Sequence, residues 1–388
     1  MNPWAWNKKV ELDIGKLPVV LIAIATLITN ILVIVTFVRE KMMSAINIIL
    51  IGISVSDTLT VCVPAAAIVY MYADGLMPDF IPYEYCQLWG YLTKYLPTIT
   101  HNASIWLTVV LAYDRFIAIR HPFLLRRLCM PKRSVFIIIV IYILATVCHL
   151  CRFLDTDYIP IKLVSLKSWN EAHISVHVYQ NISDNELKQV KDTLSEVCRL
   201  SNGVDTCRAV YKPYFGDLEF YEFSYYWFVI LFVKLIPCLT MIILDTLMLK
   251  SLHHAEQIRL FMSVQNLNTT TGSTIKGSRF YQRRRMTVIT IIAIIIVVIV
   301  EIPISIILIF WTLSEIHGQE FMTEKTLSLL SRSANLSVYI SYPIIFILYC
   351  CISAKFRSAF CCICCSLVKK KCSFFNSDGL EEEELEKK

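Results

Sequence analysis

The chain has 388 residues, of which 56% are hydrophobic and only 18% charged, with a mean hydropathy of +0.57 and a formal net charge of +6. That balance excludes an ordinary water-soluble domain and indicates a chain that lives in lipid. The positive charge follows the loop pattern set out below, and nothing in it points to nucleic acid.

Crossing a bilayer as a helix takes about 20 apolar residues. Seven stretches reach or approach that length: Leu17–Val38, Ala45–Ala73, Leu88–Ile119, Val135–Cys151, Tyr225–Leu249, Val288–Leu313 and Leu327–Ile352. The fourth is short, and polar groups interrupt the third and the last. Backbone groups in hydrocarbon must pair within their own segment, so the expected fold is an all-α membrane protein, a bundle of seven transmembrane helices. Short loops rich in Lys and Arg mark the cytoplasmic side. Arg39–Ser44, Arg115–Arg133, Lys250–Arg285 and the tail after Ile352 are the basic ones, whereas the loop from Ala73 to Tyr85 has Asp74, Asp79 and Glu84 but no base. The N-terminus is therefore expected outside and the C-terminus in the cytoplasm of a multi-pass plasma-membrane protein. Residues 1–16 form an outer tail with no apolar signal-peptide segment. Residues 17–352 form the bundle, with a long outer loop at 152–222 and a cytoplasmic loop at 250–285. Residues 353–368 form an eighth, interfacial helix, and 369–388 a cytoplasmic tail.

Polar residues inside the spans are the first candidates for function. Asn30 lies in the first span and Asp57 in the second. A single Asn most simply bonds neighbouring helices, while a single Asp suits a switching or sodium-binding carboxylate. The third span carries Lys94, Pro97 and His101 and ends in Asp114-Arg115-Phe116. Adjacent opposite charges at the end of an apolar helix neutralise each other at the membrane boundary. Such a pair can act as a latch, released when the Arg finds a better partner.

The 152–222 loop is too long for a bare connection. It holds Cys198, Cys207 and the sequon Asn181-Ile-Ser183, a glycosylation candidate on the outer side. Cys86 opens the third span on that same side, where disulfides form. One bond from Cys86 to the loop is expected; Cys207 is the preferred partner because it lies nearer the fifth span, and Cys198 is its rival. Lys234 and Pro237 lie in the fifth span, Glu301 and Pro303 in the sixth, and Arg332 and Asn335 in the seventh. Proline in a helix interior kinks it. Beyond Ile352, Phe356 and Phe360 recur at helical spacing beside Lys355 and Arg357, as an interfacial helix requires. Cys361, Cys362, Cys364 and Cys365 there are palmitoylation candidates, because their spacing suits no defined zinc site. No constellation for catalysis or for a resident cofactor is present, so an enzyme is not expected.

Taken together, these features resemble a rhodopsin-like G-protein-coupled receptor over roughly residues 17–366. The resemblance sharpens toward invertebrate neuropeptide receptors of the FMRFamide, myosuppressin and sex-peptide type. It rests on Pro97-x-x-x-His101-x-x-Ser104-Ile-Trp106-Leu-Thr, on Pro237-Cys238, on Glu301-Ile-Pro303 and on Ser341-Tyr342-Pro343-Ile-Ile-Phe346. Phe116, where Tyr is common, and Ile345, where the group often has Asn, depart from it. The resemblance implies a receptor for an extracellular peptide, short and amidated, that activates a heterotrimeric G protein, with arrestin and membrane lipid as further partners. It also implies a ligand pocket drawn from Lys94, Pro97, His101, Lys234, Glu301, Arg332 and Asn335. A switch network of Asn30, Asp57, Glu301, Pro303, Tyr342, Pro343 and Phe346 would connect that pocket to the latch. Buried ionisable groups must pair, so Glu301 is expected on Lys234 or His101, with Arg332 as the other choice. No Lys falls between Leu327 and Cys350 for a retinal linkage, and the third span has no acid before Asp114 for an amine ligand. A related chemosensory receptor for a small molecule is the alternative. A transporter is disfavoured by the scarcity of glycine and the lack of internal repeats.

Overall fold

The computed structural model describes residues 8–73, 83–121, 130–168, 174–179, 198–200, 204–211, 218–265, 274–317, 323–344, 346–348, 356–358 and 360–361. Helix α1 is Lys8–Arg39 and α2 is Ala45–Ala73. Helix α3 is one rod in three parts: Tyr83–Gly90, a π-helical stretch Tyr91–Tyr95, and Leu96–Arg120. Helix α4 is Pro131–Asp155. Helix α5 has the same three-part build, from Leu218–Phe228 through the π-helical Val229–Leu235 to Ile236–Gln265. Helix α6 is Thr274–His317 and α7 is Glu324–Ser341. Six of these carry stretches long and apolar enough to cross a membrane. Helix α7 is shorter, is capped by the Thr323 side chain accepting from the Thr326 amide, and completes the bundle against α1 and α6. Their outward faces stay apolar: Ile24 and Ile28 on α1, Ile143 and Leu144 on α4, and Ile299 and Ile306 on α6 are exposed. An apolar exterior around polar interior residues is what a lipid-embedded bundle requires.

Both π-helical stretches have the same cause. Each is followed within two residues by a proline, Pro97 in α3 and Pro237 in α5. Proline has no N–H for the carbonyl four residues back, and its ring crowds that carbonyl. A widened turn relieves the crowding and re-aims the residues within it. Lys234 is one of those residues, and it turns inward, 8% exposed.

Three apolar clusters hold the bundle. Val33 and Phe37 of α1 meet Ile49 and Ile53 of α2 and Leu107 and Leu111 of α3. Ile105, Val109 and Ala112 of α3 meet Met241, Leu244 and Met248 of α5 and Ile291 and Ile294 of α6. Ala23, Val61, Ala65, Val338 and Tyr342 join α1, α2 and α7. Past α7 the chain turns at Tyr342-Pro343, and residues 356–358 and 360–361 are helical. Phe356, 1% exposed, sets its ring against Phe37 and Phe346, with centroids 5.7 and 6.1 Å away. Cys361 there is exposed, while Cys362, Cys364 and Cys365 lie outside the described residues, as does Asn181.

The long loop after α4 contains an antiparallel four-stranded sheet that periodicity did not disclose. Strand β1, Thr156–Ser168, is its spine. Its first half pairs with β4, Val204–Tyr211, from Thr156↔Tyr211 to Leu163↔Val204. Its second half pairs with β2, Ile174–Tyr179, on one side and β3, Cys198–Leu200, on the other. Elsewhere the helices overrun the expected loops. Helix α1 begins within the N-terminal tail, and α5 and α6 extend well into the 250–285 segment, where polar residues let a helix continue in water.

The sheet docks on the first turns of α3. The Tyr83 hydroxyl donates to the Tyr158 carbonyl at 3.3 Å, and the Tyr158 ring lies against Gly90. Cys86, between those two contacts and 1% exposed, is disulfide-bonded. A Cβ at position 90 would collide with the Tyr158 hydroxyl. Overpacking of this kind costs about 1–3 kcal/mol. Gly90→Ala should therefore lower the melting temperature of the purified protein, and Tyr158→Ala in the same chain should restore most of the loss. Unchanged melting in Gly90→Ala would place the sheet elsewhere.

Candidate functional site

Below the sheet, four helices converge on one carboxylate. Glu301 of α6 is 1% exposed. Its Oε2 accepts from the Lys234 Nζ of α5 at 2.7 Å, and its Oε1 lies 2.9 Å from Nε2 of His101 on α3. The other imidazole nitrogen, Nδ1, is 3.1 Å from the Tyr342 hydroxyl at the end of α7. Lys234 Nζ is also 3.3 Å from His101 Nε2. An ammonium cannot accept, so the tautomer that fits carries its proton on Nε2 and donates it to Glu301, leaving Nδ1 to accept from Tyr342. One ammonium, one carboxylate and one neutral ring then leave no net charge in the bundle, the arrangement that costs least to bury.

A cavity of about 30 Å³ runs from Glu301, His101 and Tyr342 to Asp57 and Ser104. At about 10–15 Å³ per water it holds roughly two. At its far end the Ser104 hydroxyl of α3 donates to Asp57 Oδ1 of α2 at 2.5 Å. Hydroxyl pairs bind the neighbouring helices: Thr60 with Thr100 at 2.8 Å, and Ser56 with Tyr142 of α4 at 2.5 Å. Asn30 donates to the Ser54 carbonyl at 3.1 Å and to the Thr58 hydroxyl at 3.0 Å, joining α1 to α2. One carboxylate with serine hydroxyls, Ser104 and the cavity-lining Ser341, is an all-oxygen donor set that fits a hard monovalent cation such as sodium.

Of the residues expected to line the pocket, the structure joins His101, Lys234 and Glu301. Pro97 is buried one turn from His101. Lys94 is exposed, with its Nζ 5.5 Å from the Tyr95 ring centre. Arg332 and Asn335 are likewise exposed on α7. Glu301 therefore takes Lys234 and His101 as its partners. Among the expected switch residues, Tyr342 bonds the triad and Asp57 ends the cavity, while Phe346 belongs to the ring cluster around Phe356. Asp114 and Arg115 are both buried, 8% exposed, at the opposite end of α3 from Cys86.

Sequence reasoning missed Ser104 as the partner of Asp57, Tyr342 as the partner of His101, and a second buried network. There His149 of α4 has Nδ1 3.2 Å from the Tyr225 hydroxyl of α5 and Nε2 3.5 Å from Asn102 Nδ2 of α3. The available signal was burial: a His in an apolar helix needs partners on both nitrogens.

Residues 29–159 match the seven-transmembrane receptor (rhodopsin family) domain. The chain is 27% identical over 338 residues to the sex peptide receptor of Drosophila melanogaster, a match covering 87% of this chain and 69% of that one. It is 23% identical to the sex peptide receptor-related protein 2 of Caenorhabditis elegans, over 83% of this chain and 65% of the relative. A shorter match, 26% identical over 38% of this chain and 26% of the relative, is to the FMRFamide receptor of Drosophila melanogaster. With a helical bundle whose exterior is apolar and whose interior is threaded by polar groups, the chain thus carries a domain of the rhodopsin-family seven-transmembrane receptor type over residues 29–159 and is similar along most of its length to neuropeptide receptors.

Proposed function

We propose that the protein is a plasma-membrane receptor for a short, C-terminally amidated extracellular peptide, and that it activates heterotrimeric G proteins. The observation that carries this reading is the charge-balanced Lys234–Glu301–His101 cluster beneath the sheet. The relatives' names supply the ligand class: two are named for the sex peptide and one for FMRFamide. A carboxamide is neutral and both donates and accepts, so it can enter between Lys234 and Glu301 and leave no charge unmatched. A free carboxylate would bring a second negative charge to the same place, at the cost of burying it unpaired.

In this reading the sheet faces outside, tethered to α3 by a Cys86–Cys207 bond. Cys207 pairs in register with Pro160, two residues from the Tyr158 that packs on Gly90, whereas Cys198 is opposite Ser168 at the far end of β1. Peptide entry loosens the Glu301 bridge, and α6 pivots at Pro303, two residues on. A shift near Glu301 becomes a larger one at the Arg285 end, and Arg115 is released from its resting contacts to meet the G protein. Asp57 with Ser104 holds the resting state, with sodium as the ligand its oxygens suit. The ligand moves this equilibrium only through its differential affinity for the two states. Acylation at Cys361, Cys362, Cys364 and Cys365 anchors the tail, Asn181 carries glycan, and arrestin binds the same cytoplasmic face.

The test is a panel of amidated neuropeptides and their free-acid twins on cells expressing the receptor, read by calcium and cAMP. An amidated peptide that acts at least about tenfold more potently than its acid, the equivalent of ~1.4 kcal/mol, is the expected result. Equal potency of the two forms would sink the amide reading. A response to small volatile molecules, with none to peptides, would make this a chemosensory receptor.

A further inference from the structure

His101 stands apart from its partners in the Glu301 cluster. Its side chain is 18% exposed, against 1% for that of Glu301, and it lines the water-sized cavity. Imidazole is also the side chain whose charge ordinarily changes between about pH 5 and pH 8, which neither a carboxylate nor an ammonium does. Nε2 already donates to Glu301, so a second proton on the ring goes to Nδ1, 3.1 Å from the Tyr342 hydroxyl. That hydroxyl can rotate about its C–O bond and turn from donor to acceptor.

The closed and open clusters balance their charge differently. In the closed one Lys234 already neutralises Glu301. A charged His101 would leave a net positive charge in the bundle interior and set two cations 3.3 Å apart, Lys234 Nζ against His101 Nε2. In the open one Lys234 has withdrawn. Glu301 lies two residues before Pro303, close to the pivot, so it stays beside α3, where His101 is 2.9 Å from it. A buried carboxylate that has lost one cation needs another, and the protonated ring supplies it. The closed state thus pairs its charges with His101 neutral, and the open state with His101 charged. The titratable groups facing His101 from the other helices are Asp57 of α2, at the far end of the cavity, and His149 of α4, behind Asn102. Asp57 takes its hydrogen bond from Ser104 and His149 pairs with Tyr225, so neither stands in for Lys234 on Glu301.

We propose that His101 is a proton switch and that the proton is a co-activator of this receptor: opening of the cluster draws one proton from the outer solution onto His101 Nδ1, and closing returns it. The proposal rests on the Lys234–Glu301 bridge being what opens, and it adds that opening consumes a proton. Acid outside therefore favours the open state, because a proton, like any ligand, shifts the balance toward the state that binds it better. The linkage is reciprocal, so a peptide that opens the cluster binds more tightly in acid.

The experiment uses the full-length receptor in intact cells, without added peptide. The medium is stepped from about pH 7.8 to about pH 5.8, across the titration range of imidazole, while a cytoplasmic sensor reads activation of heterotrimeric G proteins. Receptor-free cells supply the background, and surface density is matched. The wild type should signal several-fold more in the acid medium, rising by no more than about tenfold per pH unit, the limit for one proton. His101→Gln and His101→Asn can donate and accept as the neutral ring does but cannot take a charge, and either one that reaches the surface should lose the acid response. His149→Gln should keep it. Glu301→Gln, which opens the bridge without a proton, should signal strongly and almost equally across the range. A flat or falling wild-type curve beside a raised Glu301→Gln would overturn the proton switch while leaving the bridge and the amidated-peptide reading intact. So would a full acid response in His101→Gln, or its loss in His149→Gln. No rise in Glu301→Gln would overturn the bridge, and the switch with it.

Discussion

Replacing Glu301 with Gln should raise ligand-independent signalling and reduce the number of receptors at the cell surface. The substitution keeps shape and hydrogen-bonding capacity but removes the negative charge that Lys234 and His101 share. Lys234, 8% exposed, is then left with a neutral amide at 2.7 Å and an imidazole at 3.3 Å. Removing one member of a buried ion pair destabilises by about 3–5 kcal/mol, and most of that falls on the resting state, in which the pair is closed. The bridge ties α6 to α3 and α5 at once, so its loss frees α6 two residues before Pro303. Lys234→Met should act in the same direction, by stranding Glu301. The Lys234→Met/Glu301→Leu double variant, which removes both charges, should recover surface expression without recovering ligand response. Unaltered basal signalling and dose-response in Glu301→Gln at equal surface density would reduce the cluster to a permanent structural bridge.

The second large effect is expected at the other end of α3. Arg115→Ala should cut the maximal ligand-driven response at least about tenfold while leaving ligand affinity within a few-fold, since hydrogen bonds from a charged group are worth about 1.5–3 kcal/mol. Arg115 is 8% exposed and far along α3 from the triad, so it has no route to the ligand except through the bundle. Membrane nucleotide exchange for the response, with radioligand competition for affinity, separates the two quantities. A variant that couples normally would remove the latch from the mechanism.

The spans were legible because apolar runs of membrane length have few alternatives in a chain this hydrophobic. So was the requirement that Glu301 be paired, since a carboxylate in that setting has to find a cation or a donor. The choice among Lys234, His101 and Arg332 was not, because it turns on how far each helix is rotated. In α5 that rotation is set by the π-helical turn ahead of Pro237, and a proline in an apolar run announces a disturbance without giving its direction. The same widening ahead of Pro97 leaves Lys94 exposed, so two lysines in equivalent sequence settings end on different faces. The sheet after α4 was hidden for another reason. Strand β1 runs 13 residues straight through Pro160 and is defined by partners up to 55 residues away, from Thr156 to Tyr211, which local periodicity does not register.

The central claim is that the Lys234–Glu301–His101 cluster holds α6 closed. It is tested most directly by spin labels placed at two exposed positions, Arg120 at the end of α3 and Arg285 on α6, in otherwise wild-type and Glu301→Gln receptors without ligand. Pulsed dipolar spectroscopy should show a single short-distance population in the wild type and an added longer one in Glu301→Gln. Identical distance distributions in two folded proteins would contradict the claim.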